Sequence, residues 1–255
     1  MSSPQLTRHL LSSALTLWLR SQVEQVAHLQ VEIVGGDRQI WSGHIPGVSL
    51  QASDVVYSGL ALSDVRLSAG QIRVNLGQIV RGKPLRLLEV VPVELEVALL
   101  AVDLGRSLQS ELGRQALADV FRLILAALPE LLLLPQQSLE SLQFCQPQVA
   151  LRGDRVRICG IIRYSNPTAS NGHSEIPVYL DTGLAVLDGH RLCLMQGVFT
   201  ITESEASESG ASQFELDKLV IDLGADVTIQ TLTVAPEGIT CRGQINVRPS
   251  AQSSG

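Results

Sequence analysis

The chain has 255 residues, with 19 Lys and Arg against 25 Asp and Glu and a formal net charge of -6. Charged residues make up 17%, below the roughly 25% of a typical soluble domain, and aromatics only 4%. An acidic chain without a dominant Lys/Arg face excludes a nucleic-acid binder as the leading class, and this length suffices to bury a sizeable aliphatic core.

At the N-terminus Arg8 and His9 precede LLSSALTLWL. This stretch imitates a secretory apolar segment, but Arg20 ends it and no small-residue cleavage pattern follows. Arg8, Ser12, Thr16, Arg20, Glu24 and His28 recur every four residues with Leu11, Ala14, Leu15, Trp18, Leu19 and Val23 among those between. That pattern predicts a long amphipathic helix, with Ser3 as its cap and Pro4 in its first turn. Docking of this helix on a membrane surface stays open. With no clear signal peptide and no membrane-spanning helix, the expected localisation is cytoplasmic or peripheral membrane.

His28 to Val34 reads as a strand, and Gly35-Gly36-Asp37 as its turn. From Val48 a meander follows. Val48, Leu50 and Ala52 alternate; Ser58-Gly59 turns the chain; Leu60, Leu62, Val65 and Leu67 return; Ala69-Gly70 turns again; Ile72, Val74 and Leu76 close the run. Period-two alternation predicts a sheet with one apolar face, against which something aliphatic must lie. Asn75 to Arg81 reads as a short helix ended by Gly82 and Pro84. Leu85 to Val102 reads as extended, with Glu94 and Glu96 alternating against Val93, Leu95 and Val97.

Asp103 opens a second predicted long helix, on whose inner face Leu104, Leu108, Leu112, Ala116, Val120 and Ile124 repeat. It runs into VFRLILAALPELLLL, too apolar for a solvent-facing helix and broken by Pro129 before the about 20 apolar residues that a bilayer span needs. The second half predicts three hairpins: Leu142 to Leu151 with Arg155 to Tyr164, Ile176 to Leu187 with Arg191 to Ile201, and Val227 to Val234 with Ile239 to Val247. Thr202 to Ser212 reads as a Ser/Glu loop tip. No Pro/Gly/Ser-rich linker divides the chain, so residues 1-248 are expected to form a single domain with a polar tail at 249-255. The predicted fold class is α+β: an extended, curved antiparallel sheet wrapped around two long amphipathic helices.

Signatures of catalysis are missing from the sequence: no G-x-S-x-G, H-E-x-x-H, P-loop or G-x-G-x-x-G occurs. His9, His28, His44, His173 and His190 are scattered. Cys145, Cys159, Cys193 and Cys241 show no zinc spacing and read as buried free thiols. The expectation is a non-enzyme with no cofactor and no metal. Arg81, Lys83 and Arg86 crowd a Gly/Pro bend where they could hold a phosphate group or complement a helix C-terminus. Arg152, Arg155, Arg157 and Arg163 alternate along a hairpin and read as the charged outer face of a sheet.

Two blocks carry a family resemblance. VEIVGGDRQIWSGHIPGVSLQASDVVYSGLALSDVRLSAGQIRVNLGQIVRGKPLRLLEVVPV, from Val31 to Val93, and LVIDLGADVTIQTLTVAPEGITCRGQINVRP, from Leu219 to Pro249, resemble the LmeA-like phospholipid-binding family in its cyanobacterial form. The resemblance implies a tubular lipid-binding fold like that of bactericidal/permeability-increasing protein, with a curved sheet embracing a long helix. It implies non-covalent binding of phospholipid or a fatty-acyl ligand, without catalysis, in membrane or envelope maintenance. On this reading Leu104, Leu108, Leu112, Ala116, Val120 and Ile124 line a groove for the acyl chain, and Arg81, Lys83 and Arg86 form a headgroup rim. The alternative is a scaffold with a fully packed core that acts through protein partners. Lipid identity and oligomeric state are not legible in the sequence.

Overall fold

The computed structural model describes residues 16, 19-20, 23-36, 39-40, 42-75, 86-128, 142-167, 169, 172-202, 211-216 and 218-249. Among these the protein is mostly antiparallel sheet. Sheet A orders its strands β1-β2-β3-β4-β12-β11, and sheet C orders β10-β8-β7-β6-β5 with β9 paired to β8. The first set comprises β1 (His28–Val34), β2 (His44–Tyr57), β3 (Leu60–Arg73), β4 (Val91–Leu100), β11 (Val227–Ala235) and β12 (Gly238–Val247). The second comprises β5 (Gln143–Arg152), β6 (Arg155–Ser165), β7 (His173–Leu187), β8 (Arg191–Ile201), β9 (Ser212–Leu216) and β10 (Leu219–Asp222). Helices α1 (Ala101–Gln109) and α2 (Glu111–Ala127) connect the sheets.

The hairpin expectations match closely, because alternation and turn residues coincide there. Gly59, Gly153 and Gly189 take the positive φ that their tight turns need. The turn expected at Ala69-Gly70 is instead the interior of β3, where Gly70 pairs with Gly47 of β2. Gln71 adopts φ 55 and, like Pro46 opposite it, is skipped in the pairing, yet Ile45 with Ile72 and Gly47 with Gly70 keep one register, so the strand runs on without reversing. The short helix expected at Asn75 to Arg81 lies almost wholly outside the described residues, as does most of the N-terminal helix. Thr16, Leu19 and Arg20 are helical, and the chain is extended by Gln25, which bridges to Val56.

The expected wrapping of one sheet around two long helices is overturned. Two sheets are present, and the helix expected to run unbroken from Asp103 is divided into segments of 9 and 17 residues. It begins at Ala101 without a side-chain cap, and Leu100 N–H donates to Ser63 Oγ at 2.7 Å. Ser110 breaks it. The Ser110 hydroxyl donates to Ser107 C=O at 2.7 Å and accepts from Gly113 N–H at 3.0 Å, which ends one helix and caps the next. A Cβ at Gly113 would fall 2.1 Å from Ser107 O, so glycine permits the close approach at this corner.

Helix α2 closes one face of sheet C. Phe121, fully buried, stacks on Phe144 with centroids 4.4 Å apart and lies 5.9 Å from Phe199. Ile124, Leu125, Leu117, Ile162, Val178 and Leu180 complete this core. Gly160 makes room for it, since a Cβ there would meet the Phe144 ring at 2.6 Å.

On the outer face of sheet C, the arginine hairpin converges on one carboxylate. Arg155 Nε donates to Asp181 Oδ1, and Arg157 donates to Oδ2 from Nε at 3.0 Å and Nη2 at 2.9 Å. Arg163 pairs with Glu175 at 2.6 Å. Burial pushes the Asp181 carboxyl up, but hydrogen bonds from Arg155 and Arg157 outweigh it and hold the group below its usual range.

Phe121→Ala should destabilise the protein by about 3–5 kcal/mol, read as a lowered denaturant midpoint at unchanged slope; a loss below about 1 kcal/mol would contradict the closure of sheet C by α2. Asp181→Asn should cost on the order of 1 kcal/mol near neutral pH. Because the folded-state acid is stronger than the unfolded one, this difference is present above about pH 4 and shrinks as pH falls through the lower folded value. Denaturation of both proteins across that range checks the sign.

Candidate functional site

The apolar side of sheet A is built by register. Val31 stands opposite Leu50, Leu50 opposite Leu67, Leu67 opposite Leu95, Leu95 opposite Gly243 and Gly243 opposite Ile229. A flanking row runs Leu29, Ala52, Val65, Val97, Cys241, Leu232, and another runs Ile33, Val48, Ala69, Val93, Ile245, Val227. Three rows thus cross six strands without a polar side chain, over about 24 Å at the usual strand spacing. The opposite side carries the alternate residues, including the rung Gln51, Arg66, Glu96 and Arg242. There Arg242 pairs with Glu96 at 2.9 Å and Arg66 lies 3.9 Å from it.

This face is only partly closed. Ile33, Ala52, Val65 and Gly243 are buried, and the other residues of the three rows are half-buried. On sheet C, by contrast, Phe144, Ile162, Val178, Leu180, Leu194 and Phe199 are each 4% exposed or less. The packed clusters on sheet A sit toward its ends. One gathers Ile33, Ile45, Ile72 and Val91 and the other Ala52, Val55 and Val65. Burial raises the pKa of the Cys241 thiol in the flanking row, as an apolar setting does to a group that must ionise. All four cysteines are free, with Cys193 buried and the others half-buried.

Helix α1 is fastened beside this face by polar contacts. Ser107 Oγ accepts from Ala61 N–H at 2.8 Å and donates to Ala61 C=O at 3.2 Å, while Ser63 donates to Asp103 at 2.7 Å. Asp103 and Ser107 are buried, so these bonds satisfy groups that would otherwise be costly. Gly105 brings the same helix against β5, where a Cβ would lie 3.8 Å from Val149.

The helical residues expected to line a groove do not form one surface. Ile124 is fully buried in the sheet C core, and Leu108 and Val120 pack against that core while half-buried. Leu104 is half-buried, Ala116 is exposed, and Leu112 is 43% exposed. Strict spacing by four explains the dispersal. At 3.6 residues per turn each step drifts by about 40°, so five steps turn by about 200° even in an unbroken helix. Of the basic cluster, Arg86 is exposed, and its backbone N–H donates to Asn75 Oδ1 at 2.7 Å; Arg81 and Lys83 lie outside the described residues. The aliphatic rows of sheet A were not picked out as a site from sequence. Their alternation was the available signal, but only register aligns the strands into rows.

Among the described residues no helix is long and apolar enough to cross a membrane, and no group of His, Cys, Asp and Glu is arranged to hold a metal ion. No curated protein and no solved structure matches the chain. A family model does, over residues 5–244. The chain therefore belongs to the LmeA-like phospholipid-binding family.

Proposed function

We propose that the protein binds phospholipid non-covalently by laying its acyl chains on the apolar side of sheet A, within one domain spanning residues 1-248 and ahead of a polar tail. The observation that carries this reading is the contrast between the sheets: sheet C is closed by α2, whereas the aliphatic rows of sheet A stay half-exposed. A surface about 24 Å long accommodates a chain that spans half of a bilayer core, about 15 Å. Each buried methylene contributes about 0.8 kcal/mol, so a long acyl chain supplies ample gross energy before ordering costs.

Leu104, half-buried on α1, stands as the helical side of this lining. Arg86, with Arg81 and Lys83 of the same sequence cluster, is assigned to the headgroup rim, where guanidinium groups suit phosphate oxygens. The activity is binding rather than catalysis, in the service of membrane or envelope maintenance.

Native mass spectrometry of protein purified without detergent, followed by solvent extraction, tests the proposal directly. A stoichiometric phospholipid is expected. Leu95→Trp, which fills the central row while keeping it apolar, should remove that lipid and leave the far-UV spectrum unchanged. Leu112→Asp, on the exposed side of α2, should retain it. A lipid-free parent mass that stays unchanged after incubation with liposomes would favour a packed scaffold and sink the proposal.

A further inference from the structure

The chain upstream of β1 already closes part of the aliphatic side of sheet A. Val23 and Val26 pack against the cluster of Ala52, Val55 and Val65, whereas Leu50, Leu67 and Leu95 of the central row stay half-buried. The backbone at this point is clipped to β2 and to the turn that follows it. Glu24 N–H donates to Val56 C=O at 2.9 Å, Val56 N–H donates to Gln25 C=O at 2.8 Å, and Gly59 N–H donates to Glu24 Oε1 at 3.1 Å. Just before the clip Thr16, Leu19 and Arg20 are helical, with Leu19 half-buried and Arg20 exposed. A helix thus leads into the clip at the border of the half-open rows.

The sequence of the leading segment complements the rows beside it. Leu11, Ala14, Leu15, Trp18 and Leu19 recur at i, i+3, i+4, i+7 and i+8, the spacing of one apolar helix stripe. His9, Ser13 and Arg20 fall about half a turn away from it. At 1.5 Å per residue the stretch from Pro4 to Arg20 is about 25 Å long as a helix, against the about 24 Å that the aliphatic rows span. The stripe is as free of charge as those rows. Sheet C shows the same pairing, with α2 laying its apolar side on a one-sided sheet. On sheet A, Val23 and Val26 begin such a contact, and the stripe is the stretch of chain that continues from them.

We infer that the N-terminal segment from Pro4 to Arg20 is a displaceable cover for the aliphatic side of sheet A. Its Leu11, Leu15 and Trp18 stripe lies on the half-open rows when no lipid is bound and gives way to acyl chains, while the bonds of Glu24 and Gln25 to Val56 hold its base in place. The inference rests on the lipid-binding reading and adds a competitor supplied by the chain itself. Segment and acyl chain satisfy the same aliphatic side chains and exclude each other, so the share of uncovered molecules sets the apparent affinity for lipid. Such a cover keeps an apolar binding side out of water in the empty protein.

Cys241, half-buried in the row of Ala52, Val65 and Val97, reports the cover in the full chain. Alkylation by a small maleimide is followed thiol by thiol by peptide mass spectrometry, with Cys145 and Cys159 of sheet C as reference and fully buried Cys193 as the sign of folding. Leu15→Asp with Trp18→Asp should raise the Cys241 rate about tenfold or more and tighten binding of monomeric short-chain phosphatidylcholine by a similar factor. His9→Asp with Ser13→Asp, on the far side of the stripe, should match the parent. An unchanged Cys241 rate or an equal rise in the control would overturn the cover. So would weaker lipid binding with Cys193 still protected, which would make the segment a wall of the site instead of its competitor. If Cys193 becomes reactive, Trp41→Phe decides, because it leaves Trp18 as the single tryptophan. Trp18 emission should be blue-shifted without lipid and move to the red as lipid is added; emission from water at the outset, or no movement in a protein that binds lipid, rejects the inference. If neither parent nor variants bind lipid while the Leu15 and Trp18 substitutions still expose Cys241, displacement and the lipid-binding reading fail together and the cover alone stands.

Discussion

The architecture depends on how a one-sided antiparallel sheet disposes of its apolar face. Every strand pair places alternate side chains on opposite sides, so a face of Leu, Val and Ile must find cover from protein or from another apolar body. The 17-residue α2 supplies that cover to sheet C through Phe121, Ile124 and Leu125. Sheet A has an equally aliphatic face, yet its central rows keep partial exposure. The division between a closed sheet and a half-open one gives the molecule one packed core and one aliphatic face of partial exposure.

The corner at Ser110 makes this division. One hydroxyl ends α1 and caps α2, and Gly113 lets the two helices meet closely. The first segment is tied to β3 by Ser107 and Asp103, while the second turns its aromatic side toward β5 and the strands beyond it. A straight helix from Asp103 onward could not have served both sheets in this way. Buried polar anchoring sets where α1 sits, and apolar packing holds α2 down.

Membership of a phospholipid-binding family gives the chain a ligand class. Sheet A carries aliphatic rows that cross six strands and a polar reverse side held by Arg66, Glu96 and Arg242. Charge is kept off the aliphatic side by the same alternation that puts it on the other. On sheet C the pairs of Arg155 and Arg157 with Asp181 likewise stand on the outer face.

Local signals were legible wherever the determining interaction is itself local. β1 and β8 run from His28 to Val34 and from Arg191 to Ile201, as alternation and flanking turn residues indicate, and the family could be recognised from two blocks of residues. The division at Ser110 was partly written in its Ser-x-x-Gly sequence, but a continuous apolar repeat masked it. What the sequence alone determined was a β-rich chain with aliphatic, one-sided strands and the residues of a phospholipid-binding family. Tertiary structure decided that there are two sheets, which of them α2 closes, and how Val31, Leu50, Leu67, Leu95 and Ile229 come into one row. Those outcomes depend on pairing between residues as far apart as Gln244 and Glu94, and a periodic pattern states which face a side chain takes but not which strand lies beside it.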